Sequence, residues 1–211
     1  MKRALLVLAA ALLPAAVHAQ FGVPWRKPPA IVVISAEGDP RIALVDEALG
    51  YWNRVLEESG AGLRLSAATR AVLPIPEEAL QELSGAIIAG RRPTQVPQAL
   101  HELPGDLAIV LAHSAFISFA SPFYGDGKRV VGIRGLSFPL TLPNVARNVI
   151  AHELGHAIGL GHNADPALLM CGRPAPCRPP DFVSAEPRFF PLGEAEREAL
   201  RLMYPRARGA R

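Results

Sequence analysis

Residues 152 to 162 read His-Glu-Leu-Gly-His-Ala-Ile-Gly-Leu-Gly-His, and no other stretch restricts the fold so tightly. Three of the chain's six histidines, His152, His156 and His162, fall inside it. On a helix, His152 and His156 lie on one face, one turn above the other. Two neutral imidazoles so placed can grip one Zn²⁺ from one side through bonds of about 2.0–2.1 Å. Glu153 is near enough to reach a water on the ion without ligating it. Gly159 lets the helix stop in a sharp turn, and that turn brings His162 back as a third ligand. Three protein ligands leave one position open, which marks catalytic rather than structural zinc. A His-Glu-x-x-His string alone also arises by accident. Here a glycine and a third histidine extend it, and Met170 follows eight residues later.

The string, together with Asn163-Ala164-Asp165-Pro166-Ala167-Leu168-Leu169-Met170, resembles the zinc helix and Met-turn of the metzincins. Within that clan it is most similar to the matrixins, the matrix-metalloproteinase-like endopeptidases, including their short bacterial members. The resemblance implies His152, His156 and His162 as ligands of one catalytic Zn²⁺, Glu153 as general base and acid, and Met170 as an apolar floor beneath the metal. It implies a zinc-dependent endopeptidase that attacks protein or peptide substrates with a metal-activated water. Asn163 departs from the serine usual in animal matrixins. Gly172 stands where clan members with an extra tyrosine ligand carry it, so no fifth ligand is available. The structural zinc of animal matrixins would have only His101 and His113 to draw on, and it is not expected here. Calcium (Ca²⁺) has no support beyond Gly125-Asp126-Gly127, which reads as a turn.

The fold implied is α+β and zincin-like. A twisted mixed sheet of four or five strands and about three main helices would place a zinc cleft between a larger N-terminal and a smaller C-terminal part. Residues 1–19 read as a signal peptide: Lys2 and Arg3 are followed by an apolar run to Val17, and Val17-His18-Ala19 fits a small-x-small cleavage pattern. The expectation is an exported protein, secreted or periplasmic. Residues 20–211 would form a single catalytic domain, with an upper part to 161 and a lower part from 162. Without Lys2 and Arg3 the 22 basic residues become 20 against 19 acids, a charge of about +1. That balance offers no footprint for nucleic acid, and no membrane association is expected after cleavage. The protein is expected to be a monomer.

Along the chain, Ile31–Ser35 reads as a strand buried on both faces. Pro40–Glu58 reads as a helix with Ile42, Val45, Leu49, Trp52 and Leu56 inward, Asp39 as N-cap and Gly60 as stop. Leu63–Ala67 alternates as a strand would, and Pro76–Gly90 reads as an irregular helix. Asp106–Ala112 is the clearest buried strand, followed by strands in Ala115–Ser121 and Lys128–Gly135. By its order in matrixins, Phe116, Ile117, Ser118, Phe119 and Ala120 would form the edge strand on which substrate backbone pairs. Thr141–Gly159 is the zinc helix, with Ala146, Ile150, Leu154 and Ala157 facing the core and Val145, Val149, His152 and His156 facing the cleft. Six prolines and Phe182, Phe189 and Phe190 between Arg173 and Pro191 suit either a stiff wall of the specificity pocket or a solvated loop. Gly193–Tyr204 reads as a final helix with Ala195, Leu200 and Met203 inward.

Cys171 and Cys177 are the only cysteines. In an exported chain they are expected to form a disulfide beside the Met-turn. The rival reading is Pro176-Cys177-Arg178-Pro179-Pro180-Asp181 as a zinc-blocking cysteine switch, although such segments normally precede the catalytic domain. Two other functional classes compete with a protease: a catalytically retired zinc-binding exported module, and a zinc hydrolase of a non-protein substrate.

Overall fold

The computed structural model describes residues 23–91, 96–122, 127–172, 184 and 186–206. The expected signal peptide, the Asp126 turn, Cys177 and Phe182 lie outside these residues. No helix among the described residues is long and apolar enough to cross a membrane.

The fold is α+β, built on a five-stranded mixed sheet in the order β2-β1-β3-β5-β4. Its strands are β1 (Ile31–Ile34), β2 (Thr69–Ala71), β3 (Leu107–Leu111), β4 (Phe119–Pro122) and β5 (Arg129–Ile133). The pairs β1–β2, β1–β3 and β3–β5 are parallel, and β4 runs antiparallel along β5 at the edge. β1 and β3 are apolar at every position because both sheet faces are covered. Ile31, Val33, Leu107, Ile109, Leu111, Val131 and Ile133 point into one core with helices α1 (Arg41–Glu58) and α4 (Pro143–Ile158). Val32, Ile34, Ala108, Val110 and Val130 point the other way, toward α2 (Glu77–Ile88) and the short α3 (Gln98–His101). A last helix, α5 (Glu194–Met203), follows the Met-turn region and contacts α1.

α1 forms as its apolar spacing predicts, with Val45, Leu49, Trp52 and Leu56 buried and Ile42 half-buried. It ends before Gly60, whose φ of 76° few other residues adopt. Pro40, not Asp39, holds the cap position, but Asp39 Oδ1 still accepts the Arg41 N–H at 2.9 Å. Asp39 also pairs with the buried Arg41 guanidinium, which donates to Ala112 O and Arg134 O and so ties together the loops leaving β3 and β5.

Two expected strands are displaced, for the same physical reason. Leu63–Ala67 is not a strand, although Leu63 and Leu65 are buried in alternation; the strand is Thr69–Ala71. Asn53 on α1 donates to Leu65 O and accepts from Leu65 N, occupying the groups a neighbouring strand would need. Of Phe116–Ala120, only Phe119 and Ala120 lie in β4. Ser84 on α2 bonds both the oxygen and the N–H of Ile117 and holds Phe116–Ser118 outside the ladder.

α4 departs from its expected two-faced design. From Asn144 to Ile158 only Val149 and His152 are partly exposed, and Val145 lies in the core rather than toward a cleft. Its third face is polar yet buried. Asn144 donates to Ser184 O and Glu186 O, Asn148 donates to Arg188 O and accepts the Phe190 N–H, and Arg147 pairs with Glu47. Asn144 and Asn148 thereby clamp the chain returning toward α5, and Arg147 ties α4 to α1. Within that return Phe190 is buried and the half-buried Phe189 stacks on Tyr51 with ring centroids 4.5 Å apart, so both pack against the core. In α5 the inward positions are Glu196, Ala199 and Leu200. Ala195 is exposed, because a polar contact to Asn163 turns Glu196 inward instead.

Candidate metal centre

α4, which carries His152 and His156, is seated on Trp52, which is fully buried and donates its indole N–H to Ala151 O at 2.8 Å. Gly155, between the first two histidines, has no room for a side chain. A Cβ there would lie 2.5 Å from Met170 Sδ and 2.8 Å from Trp52 Cζ2. The helix therefore rests directly on the sulfur and the indole, and Met170 is fully buried beneath it.

α4 ends as the glycine spacing predicts. Gly159 takes φ 123°; its N–H meets His156 O at 3.0 Å, and the Leu160 N–H meets Gly155 O at 3.0 Å. This is the Schellman arrangement, which satisfies two of the last helical carbonyls. The chain then reverses and delivers His162. Beyond it, Asn163 N–H bonds Met170 O at 2.8 Å and Gly172 N–H bonds Asn163 O at 3.0 Å, forming a short bridge between Asn163 and Cys171. Asn163 also donates to Glu196 on α5, linking the final helix to the Met-turn.

These elements bring His152, His156 and His162 together, with one ring nitrogen of each within 4.8 Å of the others. His152 Nε2 lies 3.2 Å, and His156 Nε2 2.9 Å, from His162 Nε2. Two Zn–N bonds at a tetrahedral angle put their nitrogens about 3.3 Å apart, so the spacing fits one small ion. The outer nitrogens fix the tautomers. His152 Nδ1 sits 2.7 Å from Leu169 O and His156 Nδ1 2.8 Å from Leu160 O. A carbonyl can only accept, so each Nδ1 carries the proton and each Nε2 turns a lone pair inward. Burial, and then the charges His152 and His162 would carry, hold His156 well below the usual 6.5. Partial desolvation of its ring against the neighbouring residues also lowers His162. Convergent neutral rings with inward lone pairs are a donor set for a borderline cation such as Zn²⁺, and the three histidines can hold one.

His156 is buried, His152 half-buried and His162 exposed, so the site opens on the His162 side. Glu153 follows His152 on α4 and is 8% exposed. Gly172 forms the surface under His162: a Cβ there would lie 2.1 Å from the ring's Cγ. Neither this contact nor the one at Gly155 could be read from the sequence, where both glycines carry no signal beyond their position in the motif. Cys171 is disulfide-bonded, and Cys177 lies outside the described residues. β4 packs against α4, so the sheet edge and the ligand-bearing helix are neighbours. Cavities of about 590 and 440 Å³ occur elsewhere, beside α1 and at the N-terminal leader, and no histidine lines either.

No family model matches the chain. A 56-residue stretch, 26% of the chain, is 38% identical to human matrix metalloproteinase-27 and spans 9% of that protein's length. Among solved structures, the archaemetzincin of Methanopyrus kandleri aligns with 86% of this chain and 98% of its own, at a TM-score of 0.48 and 20% identity.

Proposed function

We propose that this chain is an exported, zinc-dependent endopeptidase of matrixin type. The observation that carries the reading is the convergence of the Nε2 atoms of His152, His156 and His162, the first two held proton-free by carbonyls at Nδ1, with the buried Glu153 next to His152 in the chain. The stretch of identity with a matrix metalloproteinase supports the subtype, and the disulfide at Cys171 supports an oxidising destination.

When bound, the ion supplies Lewis acidity, which makes a water acidic near neutral pH and a peptide carbonyl electrophilic. The chain's own residues do the rest. His156 and His152, locked by their carbonyl partners, hold their rings without needing to reorient. Glu153 takes the proton from water as its oxygen adds to the carbonyl carbon, then passes that proton to the leaving amine nitrogen. No side chain forms a covalent bond to substrate. The β4 edge, Phe119–Pro122, offers extended backbone beside α4 on which a substrate segment adds as a further strand.

The test is digestion of an unfolded protein such as reduced casein by wild type and Glu153→Gln, with and without a chelator. Wild type should cleave only without chelator. Glu153→Gln should keep stoichiometric zinc and lose about 10²–10⁴-fold in rate, the usual span for a general base. A Glu153→Gln enzyme at full rate sinks the assigned role. A zinc-loaded wild type that never cleaves unfolded protein sinks the endopeptidase.

A further inference from the structure

Arg129 is 2% exposed, and no acidic side chain pairs with it among the described residues. A buried cation without a carboxylate is costly unless it is hydrogen-bonded. Here Nη1 donates to Ala157 O and Nη2 donates to Val23 O. The Trp25 ring closes over it, with Cζ 3.8 Å from the ring centroid, and the Trp25 indole N–H is held by Gly127 O at 3.2 Å. Tyr204 in turn donates to Ile158 O at 2.5 Å.

The two carbonyls chosen are not arbitrary. An α-helix leaves its last four carbonyls without partners in the helix. In α4, Gly155 O and His156 O are satisfied by the Gly159 and Leu160 amides. Ala157 O and Ile158 O remain, and Arg129 and Tyr204 take one each. All four are thus satisfied, the last two by side chains from β5 and from just beyond α5. The positive charge also sits where the helix end favours a cation. Two residues past Ile158, Leu160 O holds the His156 ring at Nδ1.

We propose that Arg129 and Tyr204, with Trp25 as the cover that keeps the guanidinium dry, are positioning residues of the metal centre. They fix where α4 ends, and through the Gly159–Leu160 turn they fix the carbonyl that aims His156 Nε2. The inference rests on the reading that the three histidines hold a metal, but not on what the loaded protein cleaves.

The experiment measures zinc affinity by competition with a chromophoric chelator, and the visible spectrum of the Co²⁺-loaded protein. Both are taken for wild type, Arg129→Gln, Tyr204→Phe, Trp25→Ala and Trp25→Phe, with urea unfolding run in parallel. Arg70→Gln, at an exposed ion pair, serves as the control. Arg129→Gln, Tyr204→Phe and Trp25→Ala should each weaken zinc by about tenfold, the low end for losing an outer partner of a ligand, and should alter the Co²⁺ spectrum. Trp25→Phe restores an aromatic cover and should recover most of the affinity. Should Arg129→Gln fail to fold, Tyr204→Phe, which removes a single oxygen, carries the test. Affinities within twofold of wild type in every folded variant overturn the proposal, even if urea midpoints fall. A wild type that binds no zinc overturns the metal centre itself.

Discussion

Replacing Gly172 with alanine isolates one ligand of the centre. Gly172 is not in the left-handed region, so alanine suits its backbone. The added Cβ would lie 2.1 Å from His162 Cγ. Carbon pairs rest at about 3.5 Å, so ring and methyl must separate by roughly 1.4 Å. The backbone cannot supply that shift cheaply, because the Gly172 N–H is tied to Asn163 O and Asn163 to Met170 O. The exposed His162 ring moves instead. Metal–ligand distances tolerate only about 0.2 Å, so His162 leaves the coordination sphere. A four-ligand structural zinc site is worth about 10–16 kcal/mol, hence about 3 kcal/mol per ligand and about a hundredfold in affinity. Chelator competition on Gly172→Ala should show that loss, while urea unfolding of the metal-free variant moves little. Zinc bound within threefold of wild type would refute the steric argument.

Other consequences follow from the same geometry. Gly155→Ala should destabilise by up to about 2 kcal/mol: crowding against Met170 and Trp52 costs about 1–3 kcal/mol and is offset by a gain of about 1 kcal/mol in helix propensity. A raised urea midpoint would contradict it. The depressed His156 value makes the metal-free fold sensitive to acid. Below 6.5 the unfolded chain takes up a proton that the folded chain refuses, so stability falls as pH drops from about 7 toward 5, by up to about 1.4 kcal/mol per unit. Urea melts across that range should show a steeper slope in wild type than in His156→Leu, where His162, also lowered, keeps a smaller one. The acids with lowered values, Asp39 and Glu77, titrate from 3.8 and 4.5 when unfolded and leave this window clear.

The sequence made visible whatever depends on neighbours along the chain. The ligand spacing, the Gly159 stop, the all-buried β1 and β3 and the stripe of α1 follow from local periodicity. Its failures share one cause, a polar side chain reaching across the fold. Asn53 and Ser84 each occupy both backbone groups of a residue far away in sequence, which erased one expected strand and shortened another. Glu196 turned α5 by one residue, and Asn144 and Asn148 buried a face of α4 that periodicity assigned to solvent or cleft. Arg129 gave no signal at all, because a strand-borne arginine ordinarily reads as exposed.

The near-complete enclosure of α4 bears on how an ion would arrive. In small zinc modules the metal organises the chain, and loading is folding. Here packing against Trp52, Met170 and the returning 186–190 chain already holds two of the three rings in register. Titration of Zn²⁺ into the stripped protein is then a docking event: far-ultraviolet ellipticity stays constant, and the heat-capacity change is small because little apolar surface is withdrawn from water.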